Sequence, residues 1–197
     1  MTPPEPLLPP RWTWQPHTPG HAAQAQAQAW LAQQLHTDPQ ALRLARDDRQ
    51  RPYLEAPFQH WDCNWSHSGD SLLIALAAHG RVGVDLERLR PRPRALAVSE
   101  RYFTGPETAW LDTQADRDRA FLRLWCLKEA VLKAHGHGLS FGLHRLRFEE
   151  RDGRLVLVDS DPALGAPHEW RLQELAPAPG YVGALAWRPR PGEPAPP

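Results

Sequence analysis

The order of predicted elements points to an α+β fold built of two halves of similar construction packed side by side. Helical patterns precede strand patterns twice: helix, helix, strand, strand, and then helix, helix and four strands. The closing strand YVGALAW (Tyr181 to Trp187) resembles SLLIALA (Ser71 to Ala77), a hint of internal duplication. Between the halves lies RLRPRPR, Arg88 to Arg94, a basic, proline-broken linker. These observations place an N-terminal unit at residues 1–90, a C-terminal unit at 91–188 and a disordered proline-rich tail at 189–197.

In chain order, Trp12 and Trp14 flank Thr13 as a short strand carrying both rings on one side. His21 to Leu35, rich in alanine and glutamine and anchored by Trp30, Leu31 and Leu35, is a helix. Pro39 starts a second helix, capped by Thr37 or Asp38, with Leu42 and Leu44 facing inward. The prolines of RQRPYLEAP require an extended loop. Asp62 to Ser68 is a strand end and turn, and Asp70 to Ala78 holds a fully apolar strand. His79-Gly80 turns the chain into Val82 to Leu86, so the two strands make a hairpin. In the second half, Thr104-Gly-Pro-Glu107 reads as a capping box opening a short helix through Trp110 and Leu111. Asp116 caps, and Gly136 ends, a long helix containing Phe121 to Leu139. Leu146 to Phe148, Leu155 to Val158, Trp170 to Leu175 and Tyr181 to Trp187 are strands, the first two joined by an Asp152-Gly153 hairpin turn.

The composition narrows the function. With 23 basic and 23 acidic residues the formal net charge is zero, which argues against general nucleic-acid binding. No run approaches the length of a membrane span, and MTPPEPLLPP lacks the charged and apolar regions of a signal peptide. The two cysteines, Cys63 and Cys126, form no CxxC or zinc spacing and fit buried reduced thiols in a cytoplasmic protein.

The long helix FLRLWCLKEAVLKAHGHGL places Lys128, Glu129 and Lys133 inside an apolar run. Glu129 and Lys133 share a face, as does Trp125 one turn earlier. Alone, this pattern also suits an ordinary intrahelical ion pair. Asp85 and Glu87 alternate on a strand and project on one face about 7 Å apart along the chain. Two carboxylates so placed, with Glu129 as a third, suit an oxygen-ligated hard ion such as Mg2+; a solvated strand end balanced by Arg88 and Arg90 is the alternative. Asn64 to Ser68 (NWSHS) offers hydroxyls, an imidazole and backbone N–H groups to a phosphate, although a lone histidine in a turn is more often structural. Arg51, held by Pro52 in RPY, suits phosphate recognition, or is an exposed loop arginine. SHSG is not a GxSxG elbow, and neither a GxxxxGK loop nor a GxGxxG fingerprint is present. His135 and His137 are two apart, which is not the spacing of a helical zinc pair.

Together, Gly83-Val-Asp85-Leu-Glu87 and Trp125-Cys-Leu-Lys128-Glu129-Ala-Val-Leu-Lys133 resemble the signature pair of the 4'-phosphopantetheinyl transferases, in the larger monomeric Sfp-type form. RPY, NWSHS and Glu100-Arg-Tyr-Phe103 are similar to the family's remaining segments, in the family's order, so the resemblance covers roughly Arg51 to Phe148. It implies a pseudo-duplicated fold with the active site in the cleft between two α/β subdomains. It implies Asp85, Glu87 and Glu129 as Mg2+ ligands and Lys133 as a contact to the pyrophosphate of coenzyme A. Glu129 and Lys133 become the catalytic pair. Ser66 and His67 would bind the 3'-phosphate of the adenosine, and Arg51 would sit beside that end. The implied reaction moves the phosphopantetheine arm of coenzyme A to a serine of an apo acyl or peptidyl carrier protein, releasing 3',5'-ADP. The arginines at 88, 90, 92 and 94 suit docking of an acidic carrier. One departure is visible: the family often has arginines or lysines in its first helix, whereas HAAQAQAQAWLAQQL has His21 and no lysine or arginine, leaving His17, His21 or Arg11 as substitutes. A coenzyme A-binding protein without turnover and a metal-dependent phosphodiesterase are the competing functions.

Overall fold

In chain order, the computed structural model, which describes residues 9–190, runs β1 (Arg11–Pro16), α1 (Ala23–Gln34), β2 (Leu44–Arg46), β3 (Pro52–Leu54), β4 (Trp61–Ser68), β5 (Ser71–Ala78) and β6 (Gly80–Arg88). It continues through α2 (Ala95–Tyr102), α3 (Gly105–Asp112), α4 (Arg117–His135), β7 (Leu146–Arg151), β8 (Arg154–Ser160), β9 (Arg171–Leu175) and β10 (Tyr181–Pro189). The fold is mixed α/β. The two apolar runs that resemble each other, β5 and β10, are each the central strand of a three-stranded antiparallel sheet, ordered β1-β5-β4 and β6-β10-β9.

Strand alternation explains the layering. Leu72, Ile74 and Leu76 of β5 pack with Ala27, Trp30 and Leu31 of α1, while Leu73, Ala75 and Ala77 face Val82, Val84 and Leu86 of β6 and Leu185 of β10. The opposite face of β10, Val182, Ala184 and Ala186, packs on α4 with Leu127, Ala130 and Val131. The order is therefore α1, first sheet, second sheet, α4. Strand β6 is an edge of the second sheet, and its free N–H groups are bonded by side chains of β4 rather than by a backbone ladder. Val82 N donates to Asp62 Oδ2 (2.7 Å), Val84 N to Asn64 Oδ1 (3.0 Å) and Arg88 N to Ser68 Oγ (3.1 Å). A row of short polar side chains thus covers an edge that would otherwise be open to pairing.

Several expectations are corrected. β5 and β6 do not form a hairpin: His79, at φ 50°, carries the chain across to the second sheet, where β6 pairs with β10 from Gly80↔Pro189 to Arg88↔Tyr181. The strand bearing Asp85 and Glu87 therefore ladders with the C-terminal half although it precedes the linker. The second helix expected at Pro39 is one turn, because Gln28 Nε2 takes the carbonyls of Pro39 and Leu42 (2.8 Å each) and the chain then extends into β2. RPYLEAP is not all loop: Pro52–Leu54 pairs with Leu44–Arg46, and Asp47 Oδ1 closes the connection by accepting from Arg49 N and Arg51 N, both at 2.9 Å. The segment read as a strand end and turn is the full strand β4, paired with β5. Of the expected tail, Pro189 ends β10, and residues 191–197 lie outside the described residues.

In the second half the caps and turns agree with expectation, although an unanticipated helix, α2, precedes the Thr104 capping box. Asp116 Oδ1 accepts from Arg119 N (3.0 Å), and Gly136 closes α4 at φ 89°. Asp152 and Gly153, both at positive φ, turn β7 into β8. Thr104 N and Oγ1 donate to Glu107 Oε2 at 2.9 and 2.8 Å. Glu107 does more than cap. Its Oε1 accepts from Phe148 N (2.8 Å) and pairs with Lys128 Nζ (2.8 Å), with both side chains essentially sealed from solvent. Lys128 also donates to the carbonyls of Leu143 and Leu146, so this residue ties α4 to α3 and to the start of β7. Burial lowers its pKa to about 8, partly offset by Glu107. Cys63 and Cys126 are both buried and free, with thiol pKa values pushed up by burial.

The contact that positions the site is β6 on α4. A Cβ on Gly83 would stand 2.1 Å from Ala130 O and 2.4 Å from Ala134 N. These are backbone atoms of a helix and cannot swing aside. Gly83→Ala should therefore destabilise the fold by about 3 kcal/mol or more, toward the top of the overpacking range. Urea unfolding measures it, and a loss below about 0.5 kcal/mol, typical of a neutral surface change, would mean that β6 is free to move off α4.

Candidate active site

Six side chains meet where β4, β6 and α4 converge: Ser66, Ser68, Asp85, Glu87, Glu129 and Lys133. On β4, residues 62, 64, 66 and 68 all point toward β6, so Ser66 reaches Asp85 and Ser68 reaches Glu87. On α4, Glu129 and Lys133 lie one turn apart on the face toward β6. Lys133 Nζ donates to Asp85 Oδ1 (2.6 Å) and Ser66 Oγ (3.1 Å), and Ser66 Oγ donates to the same Asp85 oxygen (2.9 Å). Glu87 Oε2 accepts from Arg92 Nη2 (2.5 Å) and Ser68 Oγ (3.2 Å). Asp85 and Glu129 are each 5 % exposed, and Asp85 Oδ2 and Glu129 Oε1 are buried with no hydrogen-bond partner.

The electrostatics follow from that crowding. Burial raises the Glu129 pKa to about 7; Asp85 and Glu87 add to the rise and Lys133 opposes it. For Lys133, burial alone lowers the pKa, but Asp85 and Glu129 outweigh it and the net direction is up. Each carboxylate thus has a different charge partner: a lysine for Asp85, an arginine for Glu87 and, near neutral pH, a proton for Glu129.

The donor set tests well for a hard cation. All the candidate ligands are carboxylate oxygens, two of them buried and unpaired, and burial first, then the Asp85 and Glu87 charges, raise the Glu129 pKa. As the side chains stand, no group of three or more His, Cys, Asp or Glu is assembled to hold a metal among the described residues. The counter-cations Lys133 and Arg92 sit on two of the three carboxylates instead.

Two sequence expectations are not matched by the geometry. All five N–H groups of Arg51 are already used: Nε donates to Lys133 O (3.0 Å), Nη1 to Pro52 O (3.2 Å) and Asp62 Oδ1 (2.8 Å), Nη2 to Asp62 Oδ2 (2.5 Å) and Val82 O (3.1 Å). At 6 % exposure, this guanidinium is a clamp joining β3, β4, β6 and the end of α4 rather than a free phosphate ligand. Ser66 and His67, as strand neighbours, also project to opposite faces. Ser66 joins Asp85 and Lys133, whereas the exposed His67 lies against His17, ring centroids 5.0 Å apart. Of the three candidates for the missing first-helix cations, His17 alone stands beside His67. His21 is exposed, and Arg11 lies over Trp61 and donates to Gln34 O.

Sequence reasoning missed the pairings of Asp62 with Arg51, Ser68 with Glu87, Glu107 with Lys128 and Arg92 with Glu87. The period-two run of Asp62, Asn64, Ser66 and Ser68 was the available signal for a strand with a polar inner face; nothing local marks Arg92. A cavity of about 210 Å³ beside Lys133 is lined by Arg46, Arg49, Arg51, Asn64 and Trp65, with the Arg46 guanidinium 5.5 Å over the Trp65 ring.

Carboxylates facing a lysine across the junction of a strand and a helix are groups of the kind that bind cations and phosphorylated ligands. The chain belongs to the 4'-phosphopantetheinyl transferase superfamily, whose family model matches residues 81–186, the span from β6 to β10. It is 34 % identical over 167 residues to the putative 4'-phosphopantetheinyl transferase slr0495 of Synechocystis sp., covering 80 % of this chain and 66 % of that protein. It is 31 % identical over 166 residues to the 4'-phosphopantetheinyl transferase HetI of Nostoc sp., covering 79 % and 67 %. The chain thus spans about two thirds of the length of these relatives. Among solved structures, Thermotoga maritima holo-[acyl-carrier-protein] synthase aligns with a TM-score of 0.47 and 25 % identity over 56 % of this chain and 63 % of that one.

The Glu129 pKa generates a test on the metal-free protein. A folded-state value of about 7, against 4.5 ordinarily, means that the folded protein keeps a proton that the unfolded chain gives up. The associated stability is fully present below pH 4.5 and is lost as pH rises through 7. Between pH 5 and 8 the wild type should lose up to about 3 kcal/mol relative to Glu129→Gln, at roughly 1.4 kcal/mol per pH unit. Urea unfolding of both proteins in chelator measures the difference, and equal pH slopes would contradict the assignment.

Proposed function

We propose that this protein transfers the 4'-phosphopantetheine arm of coenzyme A to a serine of an apo acyl or peptidyl carrier protein and releases 3',5'-ADP. The observation that carries the reading is the convergence of Asp85 and Glu87 from β6 with Glu129 and Lys133 from α4, within the span that the family model matches. Functionally, residues 1–90 and 91–188 act as two halves of similar build with the substrate in the cleft between them, even though β6 is shared into the second sheet.

Asp85, Glu87 and Glu129 would hold Mg2+, which supplies positive charge against the pyrophosphate of coenzyme A. The carrier serine oxygen bonds to the β-phosphorus, and the bond from that phosphorus to the bridging oxygen breaks as 3',5'-ADP leaves. Glu129 is the residue placed to accept the serine proton as general base. Lys133 moves its charge from Asp85 to the pyrophosphate, where negative charge grows on the leaving group. The nucleotide end lies toward the cavity beside Lys133. There Arg46 and Arg49 supply the cations absent from α1, with Ser66 joined to Lys133 and Arg51 holding the walls in place; His67, beside His17, is left without a role in this reading. Arg88, Arg90, Arg92 and Arg94 form a basic strip for an acidic carrier. The protein works as a cytoplasmic monomer, and no helix among the described residues is long and apolar enough to cross a membrane.

Incubation with coenzyme A, Mg2+ and a panel of apo carriers, followed by mass spectrometry of the carrier, tests the proposal. A carrier should gain the mass of one phosphopantetheine arm. Asp85→Ala and Glu129→Ala should each lower transfer by about a thousandfold, in the middle of the range of a general-base contribution, while leaving the fold intact by circular dichroism. No gain with any carrier would sink the transferase reading, and hydrolysis of coenzyme A without a carrier would favour a phosphodiesterase. Full transfer by Glu129→Ala would overturn the metal and base assignments.

A further inference from the structure

We propose that Arg92 is a built-in counter-cation that holds Glu87 out of the metal site and must be displaced before the third carboxylate can bind the ion. The inference rests on the metal assignment just made, and three observations lead to it. Asp85 and Glu129 each keep one buried, unpaired oxygen, although the other oxygen of Asp85 carries Lys133 and Ser66. Glu87 is held from outside the β6–α4 junction: its Oε2 accepts from Arg92 Nη2 of the linker (2.5 Å) and from Ser68 Oγ (3.2 Å). No group of three carboxylates is assembled among the described residues, and Glu87 is the candidate ligand whose carboxylate is engaged by an arginine.

Arg92 is anchored to do this. Its backbone N donates to Asp118 Oδ1 (3.2 Å) in the first turn of α4, which fixes the linker within reach of Glu87. Its side chain, 25 % exposed, spans a cavity of about 350 Å³ walled by Phe121, Leu122 and Trp125, and its Nε is buried without a partner. The grip therefore comes from one ion pair at partial exposure, whose worth is that of a surface pair. Such a contact is strong enough to fix Glu87 in the empty protein and weak enough to yield to a divalent ion. Once released, the guanidinium stands free in the same segment as Arg90 and Arg94.

Isothermal titration of the metal-free protein with Mn2+, without coenzyme A or carrier, tests this directly. Arg92→Gln should bind Mn2+ roughly two- to fivefold more tightly than the wild type, the worth of the lost pair. Arg94→Gln removes the same charge from the same segment without touching Glu87 and should change affinity much less. Equal tightening by both variants would show general charge repulsion and overturn the proposal. Unchanged or weaker binding by Arg92→Gln, with binding still lost in Asp85→Asn, would overturn it while leaving the metal site standing. If neither the wild type nor Arg92→Gln binds Mn2+, the metal assignment and the proposal fall together.

Discussion

Gly83 lets strand β6 lie against the backbone of α4, and every distance at the candidate site follows from that approach. A side chain at 83 would meet Ala130 O at 2.1 Å, so only glycine allows the strand and helix to sit this close. Two residues along β6, Asp85 then faces Lys133 at 2.6 Å, and the Arg51 guanidinium locks the arrangement from behind by bonding Val82 O on the strand and Lys133 O on the helix. The side-chain rungs from Asp62, Asn64 and Ser68 to the edge of β6 complete the frame. A strand held by side chains on one edge and a backbone ladder on the other cannot easily slide, so the carboxylates keep their register.

That rigidity makes the charge problem acute. Three carboxylates near one another in a largely buried junction must be neutralised, and the protein does it in three ways: Lys133 on Asp85, Arg92 on Glu87 and a raised pKa on Glu129. None of these partners is sequestered as deeply as the structural pair of Lys128 and Glu107, which is sealed from solvent and bonded on every side. The two kinds of ion pair separate two roles within one helix. Lys128 fixes where α4 sits; Glu129 and Lys133, one and five residues on, face a site whose partners can exchange.

The second half was more legible in the sequence than the first, for physical reasons. α4, its Asp116 cap and its Gly136 stop are local signals, as are the Thr104 capping box and the Asp152-Gly153 turn. The first half is set by non-local contacts. Gln28 of α1 takes carbonyls that a helix at Pro39 would need, and β6 leaves its sequence neighbour β5 to pair with β10, about a hundred residues later. At the site, Asp85, Glu129, Lys133 and Ser66 come together as the motifs suggested. Arg51 was misread because nothing in RPY reveals that Asp62 on β4 takes both ends of its guanidinium. His67 was grouped with Ser66 because a turn was expected where the chain forms a strand, and a strand sends neighbours to opposite faces.

The central claim is that Asp85 and Glu87 of β6 and Glu129 of α4 are one cation site closed by a lysine. Anomalous diffraction at the manganese edge, from crystals grown with Mn2+ and coenzyme A, tests it most directly. The account predicts a peak bounded by those three carboxylates, with Lys133 moved from Asp85 to the pyrophosphate and Arg92 away from Glu87. A pyrophosphate bound elsewhere, or a metal held without Glu129 while Lys133 stays on Asp85, would contradict it.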